Sequence, residues 1–310
     1  MTRVFVTGGT GRLGAYTVQL LLRNGYEVVA LSRDKEVPGC ITVKGSMFDF
    51  DYSKIKGCTH AIHLAGTTDM SLPPQTIYSL NVEGTKSIVE RCSQAGIPHF
   101  IFISSISVYG KLDNKNITER TPLHPDTPYA KSKFQGEMVV HGYSGDVCIL
   151  RPSIIYGRGF DTGFRTAYDM ITSGRMLLVG DGNNHVPLVH ARDVANAILL
   201  AVASDARGIY NVNDERELTQ KQLVDYVAKL TNSSSVRTSV PRFAVGPLLA
   251  IYNVLRSLKA KPPIPSEFID MLATDRVIKT GKIQEELGFN NSCTVEEGVR
   301  EFVEYLSTKQ

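Results

Sequence analysis

Three things are scarce in this sequence: cysteine, blocks of like charge, and long uninterrupted apolar runs. The five cysteines (Cys40, Cys58, Cys92, Cys148, Cys293) are scattered, odd in number and without a C-x-x-C pair. That pattern reads as buried free thiols in a reducing cytosol, not a disulfide framework. Net charge is +3 with no cluster of one sign, so neither nucleic acid nor an acidic membrane surface is implied as a partner. The longest apolar stretch near the C-terminus, 243–255, is broken by Gly246, Pro247 and Asn253 and is too short to span a bilayer. Strand-like residues begin directly after Thr2, so no signal peptide and a cytoplasmic location are expected. No internal repeat stands out. What remains is ordinary for a soluble globular protein: 310 residues, 42% hydrophobic and 21% charged, enough for a large core in two lobes.

The richest stretch is Val4-Phe5-Val6-Thr7-Gly8-Gly9-Thr10-Gly11-Arg12-Leu13-Gly14. A β-branched and aromatic run ends in glycines spaced G-x-x-G-x-x-G. Apolar Ala15, Val18, Leu21 and Leu22 then follow at helical spacing. This reads as strand, tight turn and helix. Any strand-to-helix turn favours glycine, but this context favours a dinucleotide site. Gly8 allows the turn, Gly11 lets backbone approach a pyrophosphate, and Gly14 lets the helix pack closely. The free N–H groups at the helix start then face the phosphates.

Strand and helix patterns alternate through the first half. Strands are expected at 27–31, 41–44, 60–64, 100–104 and 147–150, with helices at 76–94 and 129–141. Repeated βα units imply right-handed crossovers and an α/β, Rossmann-like, doubly wound parallel sheet. After Arg151-Pro152, glycines interrupt shorter elements. A helix at 191–203 and a strand at 208–212 follow, then a helix at 220–230 with Thr219 as its N-cap, and a closing helix at 295–306. The expected division is a dinucleotide-binding domain over 1–151, with 191–212 returning to it, and a smaller, partly interleaved substrate lobe over 152–310.

Tyr129 and Lys133 lie four residues apart on one helix, hence on one face. A nearby ammonium favours the phenolate and is expected to lower the phenol from its usual pKa of about 10. The phenol can then exchange a proton with an alcohol oxygen. The strand at 100–104 runs into Ser104-Ser105-Ile106-Ser107-Val108-Tyr109-Gly110. Ligand sites lie at the carboxyl ends of parallel strands, so Ser105 and Tyr129 should meet there. His185 and His190 have no carboxylate or cysteine at metal-ligand spacing, and no metal is expected.

Several motifs occur in a fixed order: Thr7-Gly8-x-x-Gly11-x-x-Gly14, His63-Leu64-Ala65-Gly66, Asn81-Val82-x-Gly84-Thr85 and Ser104-Ser105. They continue with Tyr129-x-x-x-Lys133, Leu150-Arg151-Pro152, Val189-His190-Ala191-Arg192-Asp193 and Glu286-Leu287-Gly288-Phe289. In this the chain resembles the extended short-chain dehydrogenase/reductases of the NAD(P)-dependent epimerase/dehydratase group. The resemblance implies an acid/base role for Tyr129, a hydrogen bond from Ser105 to the reacting oxygen, and ribose binding by Lys133. It implies cofactor contacts at Gly8, Thr10, Gly11, Arg12, Leu13, Gly14, Ser32, Arg33, Ser46, Met47, Leu64, Ala65, Gly66, Asn81, Ser104, Pro152 and Ile154, besides Tyr129 and Lys133. Asn81 either supports the site from its helix or is structural.

The second strand ends in Ser32-Arg33, where NAD-using members of the group carry a carboxylate, and Arg12 lies in the glycine turn. Cations there suit a 2′-phosphate, so NADP(H) is favoured, with NAD(H) the alternative. Gly45-Ser46 replaces the group's Gly-Asp; Ser46 could still accept from the adenine amino group. The segment 183–190 lacks the arginine that nucleotide-sugar members use on the substrate pyrophosphate; Arg158, Arg165 and Arg175 are the available substitutes. The expected activity is hydride transfer between nicotinamide and a carbon bearing oxygen in a small molecule. The alternatives are a nucleotide-sugar epimerase or dehydratase that retains its cofactor, and a non-catalytic NAD(P)-binding sensor. A homodimer is compatible with the sequence.

Overall fold

The computed structural model describes residues 2–161, 164–234, 238–247 and 274–308. In chain order its first elements are β1 (Arg3–Thr7), α1 (Arg12–Arg23), β2 (Glu27–Ser32), β3 (Ile41–Lys44) and β4 (His60–His63). Then come α2 (Pro74–Tyr78), a π-helical turn (Ser79–Glu83), α3 (Gly84–Ala95), β5 (His99–Ile103), β6 (Asn114–Ile117), α4 (Pro128–His141) and β7 (Asp146–Pro152). With β12 (Gly208–Val212) the strands other than β6 build a seven-stranded sheet in the order β12-β7-β5-β4-β1-β2-β3. Its described pairings are all parallel. The order reverses at β1, where the chain steps out to β2 and β3 and then returns to β4. The crevice at the carboxyl ends of β1 and β4 is therefore the switch point of the sheet.

Both faces of the sheet are covered, which is why its strands read as near-continuous apolar runs. Val4, Val6, Val28 and Ala30 join one core with Val18 and Leu21 of α1 and with Val194 and Ile198 of α6 (Ala191–Ala203). Phe5, Val29, Leu31, Phe100 and Phe102 join the other, with Ile88 of α3 and Val140 of α4. Each such fully buried side chain contributes about 1.5–3 kcal/mol over its exposed state.

The remaining segments form a second core. It draws on β8 (Ile154–Tyr156), α5 (Phe164–Thr172), β9 (Leu178–Val179), β10 (His185–Val186) and β11 (Leu188–His190). It also draws on β13 (Leu218–Thr219), α7 (Gln220–Leu230) and the helix Val295–Ser307. Tyr156, Leu188, Val224 and Phe302 are among its buried residues. Capping boxes start two of its helices, Thr219 with Gln222 and Thr294 with Glu297. A short parallel pair of β6 with Arg276–Ile278 lies beside a small cluster around Tyr109 and Ile117.

The expected elements are present with one substantive difference. The helix expected at 76–94 is interrupted by the π-helical turn around Asn81. There the Asn81 carbonyl accepts from Thr85 Oγ1 at 2.7 Å, while its side chain bonds a neighbouring loop. The strand expected at 60–64 stops at His63. Most of the apolar stretch at 243–255 lies outside the described residues, which reach only 247 before 274.

Candidate active site

Thr7, Ser32, His63, Ile103 and Pro152 end β1, β2, β4, β5 and β7, so all face the same edge of the sheet. The glycine turn lies in the crevice. Gly8 has φ +74°, and a Cβ on it would approach the Ala65 nitrogen to 2.7 Å. A Cβ on Gly14 would meet the Gly8 carbonyl oxygen at 2.1 Å. Only glycine permits this turn to close against β4. Gly11 is the N-cap of α1 and supplies no side-chain cap, and the first turn holds no acidic residue. The N–H groups there are thus available to an anion. By this test the residues fit a dinucleotide pyrophosphate.

A directed hydrogen-bond chain ties the turn to the site floor. Thr85 Oγ1 gives its proton to the Asn81 carbonyl, so it accepts from His63 Nε2–H at 2.9 Å. His63 Nδ1 then accepts from Thr7 Oγ1 at 2.6 Å, and Thr7 Oγ1 accepts from the Ala65 N–H at 3.3 Å. Burial pushes His63 down to about 3, which keeps this single neutral tautomer. Asn81 completes the floor. Its Oδ1 accepts from the Thr67 N–H at 2.7 Å, and its Nδ2 donates to the Thr67 carbonyl and to Ser132 Oγ at 2.9 Å on α4.

Thr127 caps α4 through the Ala130 N–H, and Pro128 opens its first turn. This aims Tyr129 at the end of β5, where its hydroxyl hydrogen-bonds Ser105. Ser105 Oγ also accepts from the Ser107 N–H at 3.1 Å. Lys133 donates to the Ile103 carbonyl at 2.8 Å, with its ammonium 5.1 Å from the Phe102 ring centroid. The expected depression of the Tyr129 pKa is not what the structure gives. Burial pushes the phenol up to about 12, against the lowering effect of the Ser105 hydrogen bond. Burial also draws Lys133 down to about 8, opposed by the Glu137 charge. Desolvation outweighs attraction here because each charged form loses water while the ammonium bonds a carbonyl.

Beneath the site lies a network that sequence reading did not single out. Glu137 takes Arg151 in a two-pronged pair, Nε to Oε1 at 2.9 Å and Nη2 to Oε2 at 2.6 Å. Both side chains are only 2% exposed. Ser104 Oγ donates to Glu137 Oε1. Arg151 Nη1 donates to Tyr109 Oη at 3.0 Å, and Tyr109 donates to Asn211 Oδ1 at 2.7 Å. The available signal was the spacing of Lys133 and Glu137, four residues apart on α4.

The other expected contacts divide. Ser32 is buried and Arg33 exposed at the tip of β2. Arg12, expected beside the adenosine ribose, has its guanidinium 5.7 Å from the Phe160 ring centroid, on the loop after β8. Ser46 Oγ accepts the N–H groups of Phe48 and Asp49 at 3.2 and 3.1 Å. Its lone pairs are thus engaged within its own turn, which leaves the hydroxyl proton to donate. Met47 Sδ and Cε pack against Gly84. Thr10 and Leu13 flank Gly11 and Arg12 around the start of α1, Leu64 and Ala65 follow β4, and Ile154 opens β8. Gly66, at φ +150°, brings its backbone against Asn81 Oδ1.

Of the arginines considered for a substrate pyrophosphate, Arg165 donates to the Leu306 carbonyl and pairs with Asp169. Arg175 donates to Ser173, and Arg158 lies 5.3 Å from the Tyr305 ring centroid. His185 does find a carboxylate, Asp275 at 2.8 Å, and His190 caps α6 through the Arg192 N–H.

The profile of the NAD dependent epimerase/dehydratase family matches residues 4–213. The chain belongs to that family. Sterol-4-alpha-carboxylate 3-dehydrogenase, decarboxylating, of Dictyostelium discoideum is 26% identical, over 97% of this chain and 100% of its own. A 3-beta-hydroxysteroid dehydrogenase of Mycolicibacterium neoaurum is 27% identical over 98% of this chain and 91% of its own. Among solved structures, UDP-glucuronic acid 4-epimerase from Bacillus cereus in complex with NAD matches with a TM-score of 0.77 at 17% identity, covering 99% of both chains. That likeness gives the fold: a Rossmann-type α/β sheet. Among the described residues, no helix is long and apolar enough to cross a membrane.

Proposed function

We propose that this protein is a cytosolic NAD(P)-dependent dehydrogenase or reductase that interconverts a secondary alcohol and a ketone and releases its product. The observation that carries the reading is the convergence of Ser105, Tyr129 and Lys133 beside the crevice between β1 and β4. The dinucleotide, when bound, supplies the hydride donor or acceptor. The glycine turn and the N-terminus of α1 hold its pyrophosphate, and Ser32 and Arg33 meet its adenosine ribose. Ser46 and Met47 would flank the adenine, with the Ser46 hydroxyl proton left to donate. Leu64, Ala65, Gly66, Ser104, Lys133, Pro152 and Ile154 line the nicotinamide half, over the floor that Asn81 ties together.

Tyr129, pushed up to about 12, is protonated at neutral pH. That is the form that donates a proton to a carbonyl oxygen, so the reductive direction needs no prior ionisation. Ser105 donates its hydroxyl proton to the same oxygen, which orients it. The oxidative direction requires the phenolate and is favoured by alkali. Arg33 at the tip of β2, with no carboxylate at Ser32, supports NADP(H) over NAD(H).

Product release is supported by the two relatives matched over nearly their whole length, both named as dehydrogenases. It is also supported by the protein contacts that already engage Arg165 and Arg175. The test is Tyr129→Phe, assayed with NADPH and NADH against hydroxysteroids, their ketones and nucleotide sugars. Turnover should fall about 10²–10⁴-fold with cofactor affinity unchanged; retention of more than a tenth of the rate sinks the assignment. In native mass spectra the desalted wild type should carry little cofactor. Stoichiometric retained cofactor would overturn the release reading in favour of an epimerase.

A further inference from the structure

At the opposite, amino-terminal edge of the sheet, His60 opens β4, His99 opens β5, and Asp205 lies in the turn between α6 and β12. One ligand atom from each lies within 4.8 Å of the other two. Asp205 Oδ1 is 3.0 Å from His60 Nε2 and 3.6 Å from His99 Nε2. A four-coordinate zinc ion with bonds of about 2.0–2.2 Å keeps its ligand atoms roughly 3.3–3.6 Å apart, and the two distances bracket that range. The two rings stack at 4.7 Å and 16°, which turns both Nε2 atoms toward the same carboxylate.

Tautomer logic makes the cluster more than a hydrogen-bonded pair. Thr59 Oγ1 donates its proton to the Arg3 carbonyl at 3.2 Å. With its proton on that carbonyl, it accepts from His60 Nδ1–H, 2.9 Å away. A neutral His60 then turns the Nε2 lone pair toward the Asp205 carboxylate, an acceptor facing an acceptor, and a cation between them resolves the conflict. His99 Nδ1 lies 3.5 Å from Asp146 Oδ2 without a hydrogen bond between them, close enough for a small ring rotation to bring the carboxylate behind a metal-bound imidazole. Arg207 neutralises Asp146 at 2.9 Å, which leaves Asp205 as the carboxylate of the cluster. Asp205 holds its place at φ +47°, a left-handed conformation that aspartate tolerates.

We propose that His60, His99 and Asp205 bind one divalent cation of the zinc class, with its fourth position open to solvent. Two imidazoles and one carboxylate select Zn²⁺, Co²⁺ or Ni²⁺ over Mg²⁺ or Ca²⁺. The site pins β4, β5 and the turn after α6 together on the edge opposite Tyr129, so its role is structural. It is unrelated to His185 and His190, and it departs from the sequence reading, which expects no metal. His60 and Asp205 are 145 residues apart, beyond any local spacing rule.

The experiment uses the full, tag-free chain after chelator treatment and dialysis. CoCl₂ is titrated while the visible d–d bands are followed, then ZnCl₂ is added in competition, with MgCl₂ as control. The expected result is one equivalent of Co²⁺ with four-coordinate bands, displaced by Zn²⁺. Zn²⁺ should also raise Tm by several degrees while Mg²⁺ does not. His99→Ala and Asp205→Asn, both made at the cluster's more exposed members, should weaken Co²⁺ binding at least tenfold. Absence of Co²⁺ bands in the wild type means that a proton fills the gap, and it overturns the proposal. Binding that survives both substitutions places the metal elsewhere and overturns it equally.

Discussion

Replacing Glu137 by Gln tests the buried network under the site. The change keeps the side-chain size and one carbonyl acceptor but removes the charge that balances Arg151. Both partners are 2% exposed and share two short contacts. After substitution the guanidinium stays buried with Tyr109 Oη as a neutral partner. Breaking such a pair costs about 3–5 kcal/mol, because a desolvated charge is left uncompensated. That is a large share of a typical total stability of about 5–15 kcal/mol. Urea unfolding followed by circular dichroism measures it. Arg151→Met completes a double-mutant cycle: the double variant, with no charge left to desolvate, should lose markedly less than the sum of the singles. A second readout separates electrostatics from packing. The Glu137 charge raises Lys133 against burial, so its loss should move the Lys133-dependent limb of the kinetic pH profile to lower pH. A loss for Glu137→Gln below about 1 kcal/mol, the scale of an exposed pair, with an unmoved pH limb would refute the reasoning.

Lys133→Met should weaken cofactor binding and shift the pH profile together; if both stay as in the wild type, α4 does not border the cofactor. His63 gives the fold an acid sensitivity. Burial holds its folded pKa at about 3, below the ordinary histidine value of 6.5, so the unfolded chain takes up a proton that the folded chain refuses. This contribution is complete above about 6.5 and is lost as pH falls toward 3, at up to about 1.4 kcal/mol per pH unit. His63→Gln should flatten that dependence in urea unfolding between pH 7 and 4.5, and an unchanged slope would count against it. Ser32→Asp/Arg33→Ala should reverse a roughly tenfold or greater preference for NADPH, read as dissociation constants for NADPH and NADH. A wild type that prefers NADH would reduce Arg33 to a solvated side chain.

Most of the fold was legible because its signals are local. β-Branched runs, the glycine turn and helical apolar spacing each report on a few neighbouring residues, and repeated βα units leave few topologies. Helices 191–203 and 220–230 and strand 208–212 lie within those bounds. The π-helical turn at Asn81 was not legible, because it depends on a loop 14 residues away and on Ser132 of another helix. Tyr129 and Lys133 announced themselves by spacing; their pKa values did not, since burial is a property of the assembled lobe.

The sequence alone determined the parallel sheet, the glycine cradle at its switch point and the shared face of Tyr129 and Lys133, since propensity and period act within one element. Tertiary structure decided what lies between elements. It turned Arg12 onto Phe160, joined Glu137 to Arg151, fixed the His63 tautomer, and gathered His60, His99 and Asp205 at one edge. The physical reason is common to all four: a side chain's charge state and partner are set by the water it loses and the groups that replace that water, and those arrive from distant parts of the chain.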